Sequence, residues 1–335
     1  MFYIAEIGLN HNGSLKLARQ MVRAAQEAGA DAVKFQSIQA EKLIARHTFE
    51  NPVDGFGFSK VKTVGDFWRK VSIDERFHRE IKKLCDNIGI EFMSTPFDRE
   101  SVEWLEEIGV KRFKIASGDL TNYPLIEHIL TKNKPVILST GGAKIDEIQS
   151  SINFIRDKTP NIDLSVLHCV SLYPTPPALA NLQAIDQLQL LHSGPIGFSD
   201  HTLGFHLALG AIARGAEIIE KHFTIDQKLP GPDQSISATP PIFSKIVKLG
   251  NDINKALQAD GKQLSSQEKD ELNDMRRSIV AAKDMNSGTI LTSNDLEYKR
   301  PGDGISPIEF KNVIGKQLKT DIAKDEQIKW SLLDD

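Results

Sequence analysis

Two stretches, PIGFSDHT (residues 195–202) and EIIEKHFT (residues 217–224), decide the fold of this chain. Each is a short apolar run that leads into a histidine, His201 in the first and His222 in the second. Such runs are typical of strands buried on both faces of a parallel sheet. One histidine at such a place is more often a hydrogen-bonded core residue, but two strands that end in chelating side chains predict a metal site at one edge of the sheet. Imidazole suits manganese, iron or zinc, with carboxylates and water completing the shell.

A strand followed by a helix occurs eight times along the chain. The predicted strands are residues 2–7, 32–36, 91–97, 112–117, 135–140, 164–169, 195–200 and 217–223. The predicted helices are residues 15–29, 74–88, 99–108, 123–132, 144–157, 179–191, 204–214 and 240–257. Eight such units in about 250 residues match the size and order of a (β/α)8 TIM barrel. The alternative is a doubly wound open sheet, but the turn after the first strand, GLNHNG (residues 8–13), lacks the GxGxxG spacing of such sheets.

The barrel prediction requires polar residues at the carboxyl ends of the strands, where active sites of this fold lie. The sequence has such residues: Glu6, Asn10, Lys34, Gln36, Ser94, Thr95, Lys114, Ser117, Ser139, Thr140, His168, Ser199, Asp200, His201, Glu220 and His222. Lys34 and Lys114 interrupt otherwise apolar strands, where an unpaired lysine is costly. One of them could extend to water from a strand edge, but two cations aimed into one cavity predict an anionic ligand, a phosphate or a carboxylate.

Alternation along the last strand predicts which of its side chains face the barrel interior. Glu220, His222 and Thr224 share one face, so Glu220 and His222 are expected to point inward and Lys221 outward. The segment LPGPDQS (residues 229–235) follows as a stiff turn that presents Asp233. The alternative for Asp233 is a solvated turn residue without a role.

The chain changes character after residue 257. Residues 258–275 are polar and charged, which predicts a linker with some helical tendency between a barrel at 1–257 and a small domain at 276–335. The small domain is rich in turn residues and has a limited core, so we expect it to dock against another surface. Its motif KRPGDG (residues 299–304) places Arg300 on a constrained loop that could extend into a neighbour's site, although a surface arginine without a role is the alternative.

Composition narrows the classes of function. The chain has 335 residues, 40% hydrophobic and 26% charged, with a formal net charge of −4, so nothing predicts binding to nucleic acid or to a membrane surface. Cys85 and Cys169 lie in or beside apolar runs and are expected to be buried and reduced. The N-terminus shows no leader and no long apolar span occurs, so we expect a cytoplasmic protein.

Ten motifs in order along the chain resemble the sialic acid synthase family. They are EIGLNHNGS (6–14), VKFQS (33–37), STPFD (94–98), FKIASGD (113–119), LSTGG (138–142), YPTPP (173–177), GFSDHT (197–202), EKHFTID (220–226), PGPD (230–233) and KRPGDG (299–304). The C-terminal part resembles the antifreeze-like (SAF) domain of these synthases. The resemblance implies a TIM barrel with a SAF domain, in a domain-swapped homodimer where each SAF domain covers the partner's barrel.

The resemblance implies that phosphoenolpyruvate condenses with an open-chain N-acetylated hexosamine, giving a nine-carbon 2-keto-3-deoxy acid and phosphate. The residues that match the family's phosphoenolpyruvate contacts are Lys34, Thr95, Lys114, Ser117, Ser171 and Ser199. Those that match sugar contacts are Glu6, Tyr173, Asp233 and Arg300, with Glu6, Lys34, Lys114 and Asp233 as catalytic groups. His201 and His222 are expected to hold Mn²⁺, with Mg²⁺ or Co²⁺ as alternatives. Ser171 stands where family members often have an asparagine; a serine can donate one hydrogen bond but with a shorter reach.

The predicted product is N-acetylneuraminate, from an acceptor of the N-acetylmannosamine type. Legionaminate and pseudaminate synthases share nearly all the motifs, and PGPD (230–233) argues only against the pseudaminate branch. A phosphoenolpyruvate-dependent enzyme that makes a seven- or eight-carbon keto acid is a further alternative, which the C-terminal domain and the two histidine motifs disfavour. A binding protein on an inactive barrel is the alternative from another class, but the polar residues at the strand ends are all present.

Overall fold

The computed structural model describes residues 1–259 and 261–334 of the chain. It divides into two compact units, Met1–Gln258 and Ala259–Asp335. The segment 258–275, expected as a linker, contains a helix, Ser266–Met275, which lies within the second unit. This helix begins at Ser265, whose side chain accepts a hydrogen bond from the backbone N–H of Glu268 while the Glu268 carboxylate accepts one in return, an arrangement that favours a helix start.

The first unit is a barrel of eight parallel strands, which confirms the predicted fold class. The strands are β1 (Phe2–Gly8), β2 (Ala32–Ser37), β3 (Glu91–Pro96), β4 (Phe113–Ile115), β5 (Val136–Ser139), β6 (Leu164–Cys169), β7 (Ile196–Asp200) and β8 (Ile218–His222). Their hydrogen-bonded order is β3-β2-β1-β8-β7-β6-β5-β4, and β3 and β4 lie side by side where the ladder is open. Strand β4 is shorter than the predicted 112–117, because the chain turns into a 3₁₀ segment at Ser117–Asp119.

Helices connect the strands on the outside of the barrel. They are α1 (Leu15–Glu27), α2 (Ala40–Leu43), α3 (Val64–Val71), α4 (Glu75–Ile88), α5 (Arg99–Ile108), α6 (Tyr123–Leu130), α7 (Ile145–Lys158), α8 (Ala184–Leu191), α9 (His206–Ala213) and α10 (Pro240–Ala256). The sequence pattern predicted all of these except α2 and α3, which belong to a long connection between β2 and α4.

Local sequence signals explain where several helices begin and end. The side chain of Asp74 accepts a hydrogen bond from the backbone N–H of Phe77 at the start of α4, and the Asp98 side chain does the same for Ser101 in α5. Helix α4 ends at Gly89, which has a φ of 75°, a left-handed conformation that glycine adopts without strain.

The interior of the barrel has an apolar layer beneath a polar one. The apolar layer consists of Ile4, Ala32, Met93, Ile137, Leu167 and Ile218, all buried. Two positions further along the same strands, and therefore on the same inner face, are Glu6, Lys34, Thr95, Ser139, Cys169 and Glu220. The polar residues at the carboxyl ends of the strands thus lie directly above a layer of buried apolar side chains. A larger apolar core fills the space between strands and helices.

The second unit has its own small core. Besides α11 (Ser266–Met275) it contains the antiparallel strands β9 (Ser278–Ala281) and β10 (Leu296–Lys299) and a short helix, α12 (Phe310–Val313). Its buried residues include Ile279, Leu291, Val313, Ile322 and Ile328. The loop-rich composition predicted for this region matches what is observed. Among the described residues of both units, no helix has the length and apolarity needed to cross a membrane.

Candidate active site

A cavity of about 240 Å³ opens at the carboxyl ends of the barrel strands. The predicted site residues that line it are Glu6, Lys34, Thr95, Lys114, Ser117, Ser171, Tyr173, Ser199, His201 and His222. The cavity therefore brings together every barrel residue that was assigned a catalytic, substrate-binding or metal-binding role except Asp233, which lies on a nearby loop. Four further residues with polar side chains line it as well: Gln36, Ser139, Cys169 and Glu220.

Two lysines and two carboxylates form a compact cluster at the base of this cavity. The Nζ of Lys34 lies 2.7 Å from Oε2 of Glu6 and 3.7 Å from Oε2 of Glu220. The Nζ of Lys114 lies 3.8 Å from Oε1 of Glu220 and donates a hydrogen bond of 2.5 Å to the hydroxyl of Ser139. Lys34 thus has a carboxylate in direct contact, whereas the closest polar partner of Lys114 is a neutral hydroxyl.

The pKa shifts of the cluster follow from this unequal pairing. Burial lowers the pKa of Lys114, and the more distant Glu220 carboxylate does not restore it. Burial acts on Lys34 in the same direction, but Glu220 and Glu6 outweigh it and raise the pKa of Lys34. Burial raises the pKa of Glu6 against the attraction of Lys34, whereas Lys114 and Lys34 overcome burial and lower the pKa of Glu220. Lys114 is therefore the cation of the cluster that would gain most from an added anion.

Hydroxyl groups and a close turn form the wall beside the lysines. Ser199 donates a 2.9 Å hydrogen bond to Oε1 of Glu220, and Lys34 donates one of 3.3 Å to Thr95. The backbone N–H of Gly141 donates to the hydroxyl of Ser117 over 2.9 Å. A side chain at position 141 would come within 2.4 Å of the Ser171 hydroxyl, so glycine is required there for the wall to close around these serines.

His201 and His222 face each other with ring centroids 5.3 Å apart. Nδ1 of His201 lies 2.8 Å from the carbonyl oxygen of Val170, which can only accept, so this nitrogen carries the proton and Nε2 keeps its lone pair. Burial, with a smaller contribution from His222, lowers the pKa of His201 to about 3. A neutral imidazole held by a backbone carbonyl is the form in which histidine binds metals.

The histidine pair suits a divalent ion only as part of a ligand set. The Nδ1 of His222 is buried, makes no hydrogen bond within the described part of the chain, and lies 3.7 Å from Oδ2 of Asp233. Across residues 1–259 and 261–334, no three or more His, Cys, Asp or Glu side chains are grouped to hold a metal ion. The two imidazoles fit a site whose remaining positions are taken by water or by substrate oxygens.

Asp233 and Tyr173 lie at the mouth of the cavity. The loop that carries Asp233 is held by two long-range hydrogen bonds, from the Asn12 side chain to the Pro230 carbonyl and from the Gly231 N–H to the Phe56 carbonyl, both 2.8 Å. Tyr173 is half exposed, and its ring lies 4.1 Å from that of His201 between centroids. The predicted turn thus presents Asp233 beside the histidine pair.

Arg300 belongs to the second unit, directly after β10. The carbonyl of the next residue, Pro301, accepts a 2.6 Å hydrogen bond from the hydroxyl of Ser278, so the loop is fixed to β9. Its expected action on a partner's barrel stays a prediction.

Four polar cavity residues had been assigned no role from the sequence, although three of them carried a signal. Glu220, Gln36 and Ser139 are strand-end polar residues, and the side-chain amide of Gln36 donates to Oε1 of Glu6 over 2.9 Å. The fourth, Cys169, follows His168, the residue of this strand that was expected at the site. His168 instead lies outside the cavity, with its Nε2 2.8 Å from the carbonyl of Ala180.

Comparison with known proteins identifies the relatives of this fold and site. The NeuB family model matches residues 21–265, and the SAF domain model matches residues 276–334. The N,N'-diacetyllegionaminic acid synthase of Campylobacter jejuni is 37% identical over 97% of this chain and 98% of its own length. N-acetylneuraminate-9-phosphate synthase of Homo sapiens is 33% identical over 99% of this chain and 92% of its own length.

A solved structure agrees with these relatives. The N-acetylneuraminic acid synthetase of Leptospira borgpetersenii, in complex with citrate, matches with a TM-score of 0.71 and 37% identity, over 81% of this chain and 89% of that chain. The barrel, the second unit and these matches define a synthase of the sialic acid type. The chain belongs to the NeuB family.

Proposed function

We propose that this protein condenses phosphoenolpyruvate with the open-chain form of an N-acetylated hexosamine, giving a nine-carbon 2-keto-3-deoxy acid and inorganic phosphate. The observation that carries the proposal is the pair of buried lysines, Lys34 and Lys114, in one cavity with the facing histidines His201 and His222. Two ammonium groups in a buried cavity favour an anionic substrate, and two facing imidazoles beside them favour a metal ion.

Phosphoenolpyruvate binds at the lysine side of the cavity. Lys114 supplies the cation with the least internal compensation, because its nearest carboxylate oxygen is 3.8 Å away. The hydroxyls of Thr95, Ser117, Ser171 and Ser199 offer hydrogen bonds to the phosphate and carboxylate oxygens. Since hydrogen bonds to charged groups are stronger than neutral ones, this set can hold a small, highly charged molecule in one orientation.

The sugar binds beside the histidine pair, between Tyr173 and Asp233 at the mouth of the cavity and Glu6 at its base. The carboxylate of Glu6 is fixed by Lys34 and by the amide of Gln36, and its raised pKa suits a group that accepts and returns a proton. Arg300 of a partner subunit contacts the N-acetyl group in a domain-swapped homodimer.

His201 and His222 hold the divalent ion, Mn²⁺ in the first place, with Mg²⁺ or Co²⁺ as alternatives. When bound, the ion would supply Lewis-acid chemistry, polarisation of the sugar aldehyde and compensation of the negative charge on its oxygen. The carbonyl of Val170 keeps His201 in the tautomer that leaves Nε2 free, and Asp233 stands 3.7 Å from the ring of His222.

The order of bond changes has a direct test. C3 of phosphoenolpyruvate forms a bond to the aldehyde carbon, water adds at C2, and the bond between C2 and the bridging oxygen then breaks. Phosphoenolpyruvate labelled with ¹⁸O at the bridging position should therefore give labelled phosphate. Label found in the keto acid would contradict this order, because it requires cleavage between phosphorus and oxygen.

N-acetylmannosamine is the proposed acceptor, with N-acetylneuraminate as the product. The acceptor of legionaminate synthesis is the second candidate, because the Campylobacter jejuni relative named for N,N'-diacetyllegionaminic acid is 37% identical over nearly the whole chain. The test is a panel of N-acetylated hexosamines, each incubated with phosphoenolpyruvate and Mn²⁺, with products identified by mass spectrometry.

Controls in the same panel separate the proposal from its rivals. Four- and five-carbon aldose phosphates should give no product, and a seven- or eight-carbon acid formed from them would overturn the choice of substrate class. The variant His222→Ala, under the same conditions, should form no nine-carbon acid. If the folded, Mn²⁺-loaded parent protein forms no keto acid from any member of the panel, the proposed function is wrong.

A further inference from the structure

A fully buried ion pair lies on the outer face of the two strands that carry the histidines. The Nζ of Lys221 is 2.8 Å from Oδ2 of Asp200, and the two side chains are 1% and 0% exposed. Lys221 also donates to the carbonyl of Thr202 over 2.6 Å. The other carboxylate oxygen of Asp200 accepts hydrogen bonds from the N–H and the hydroxyl of Thr202, at 2.8 and 2.7 Å.

The position of this pair in the sheet ties it to the site. Asp200 and Lys221 are direct neighbours in the parallel register of β7 and β8. Asp200 precedes His201 in the chain and Lys221 precedes His222, so each histidine points into the barrel while its neighbour points outward. The hydrogen bonds to Thr202 fix the backbone on the other side of His201. His201 thus lies between Asp200 and Thr202 in the chain, and the ion pair and its hydrogen bonds fix the positions of both.

Stability alone gives no reason for this arrangement. Burying two charges removes both from water, and replacing such a pair by apolar residues of similar size often leaves a protein equally stable or more stable. An ion pair with three further hydrogen bonds differs from an apolar contact in being directional, because it fixes distances and angles between the strands. Residues behind metal ligands that orient them in this way commonly govern metal affinity.

We propose that Asp200 and Lys221 are positioning residues, which set the separation and orientation of His201 and His222 and thereby the affinity of the protein for its divalent ion. This inference rests on the proposed metal site. The variant that tests it is Asp200→Leu with Lys221→Met, because leucine keeps the branched shape of aspartate, methionine keeps most of the length of lysine, and neither leaves an unpaired buried charge.

Binding of Mn²⁺ to the full chain is measured without turnover, from the loss of the electron paramagnetic resonance signal of free Mn²⁺. We expect the double variant to keep its fold, by circular dichroism and thermal unfolding, and to bind Mn²⁺ about 10- to 100-fold more weakly. A folded double variant with the Kd of the parent protein overturns the inference. If the double variant does not fold, Asp200→Asn takes its place, since it keeps the volume and an acceptor for Thr202 but removes the ion pair; an unchanged Kd again overturns the inference.

A second, less buried ion pair at the other end of the barrel serves as the control. Arg112 and Glu91 form an ion pair of 2.7 Å between the amino-terminal ends of β3 and β4, away from the cavity. The variant Glu91→Leu with Arg112→Met should leave the Kd for Mn²⁺ unchanged, and an equal loss in this control would overturn the specific role of Asp200 and Lys221. Failure of the underlying metal site looks different, because the parent protein then shows no Mn²⁺ binding that depends on His222.

Discussion

Replacing Lys114 by methionine should weaken phosphoenolpyruvate binding without weakening the fold. The Lys114 ammonium has no carboxylate within direct hydrogen-bonding distance, since Glu220 is 3.8 Å away. Its loss removes a charge-assisted contact to the substrate, worth about 1.5–3 kcal/mol, and the attraction to Glu220, which keeps Lys34 at 3.7 Å and the hydrogen bond from Ser199. The KM for phosphoenolpyruvate should rise about 10- to 150-fold.

Lys34→Met provides the contrast that makes this prediction specific. Lys34 lies 2.7 Å from Glu6, and both side chains are buried. Removing Lys34 leaves a buried carboxylate without its counter-ion, so this variant should lose about 3–5 kcal/mol of unfolding free energy in addition to substrate affinity. Lys114→Met, by comparison, should unfold close to the parent protein.

Two assays separate binding from turnover. Steady-state kinetics give the KM for each substrate, and thermal unfolding with and without phosphoenolpyruvate gives binding alone. At one hundred times the parent Kd the ligand should stabilise the parent protein by about 2.7 kcal/mol, but a variant with tenfold weaker binding by only about 1.4 kcal/mol. The control is Lys132→Met, which removes a lysine paired with Glu103 on the outside of the barrel. It should change neither the KM for phosphoenolpyruvate nor the stabilisation that phosphoenolpyruvate gives in thermal unfolding. A change in the KM for the sugar alone would refute the reasoning, because the two substrates would then be reversed.

Three further predictions follow from other parts of the chain. His201→Ala and His222→Ala should each abolish synthase activity with the fold retained, and a chelator should do the same to the parent protein until Mn²⁺ is restored; full turnover without metal would contradict this. Subunits carrying His222→Ala and Arg300→Ala, each inactive alone, should regain activity when their dimers exchange, whereas no recovery after verified exchange would mean that Arg300 does not act on a partner. Burial lowers the pKa of His11 from 6.5 to about 3, so the unfolded state binds the extra proton first, and stability present above pH 6.5 is lost as the pH falls. The unfolding free energy, measured by urea titration at each pH, should therefore drop by about 2 kcal/mol more between pH 7 and pH 5 in the parent than in His11→Phe. An equal drop in the two proteins would contradict this prediction.

The barrel and most of its site could be predicted because their signals are local. A strand buried on both faces is apolar throughout, so a lysine or glutamate in such a run stands out, as Lys34, Lys114 and Glu220 do. The same property hides which face of a strand points inward. In LSVLHC (residues 164–169) each face carries two apolar or cysteine side chains and one polar side chain, Ser165 on one face and His168 on the other, so the sequence could not show that Cys169, and not His168, lies at the cavity.

Contacts between residues far apart in the sequence cannot be predicted from such local signals. Alternation predicted that Lys221 points away from the barrel interior, and it does, but nothing in its surroundings along the chain predicts a fully buried contact with Asp200. Likewise, the turn at residues 229–235 was predicted from its prolines and glycine, but its position depends on Asn12, which is 218 residues from its partner Pro230. Contacts of this kind depend on how the whole barrel closes.

The long connection between β2 and α4 bears on the choice of sugar. Neuraminate, legionaminate and pseudaminate synthases resemble one another at the strand-end motifs, so residues such as Lys34 and His222 cannot distinguish their acceptors. The acceptor must be selected by segments outside these motifs that reach the mouth of the cavity. The connection at residues 38–73 contacts the loop that presents Asp233, because the carbonyl of Phe56 accepts a hydrogen bond from the backbone N–H of Gly231. A change in this connection would move Asp233, the carboxylate proposed to bind the sugar, while leaving the lysine side of the cavity unchanged, and such a change would let one barrel serve several acceptors with the same chemistry.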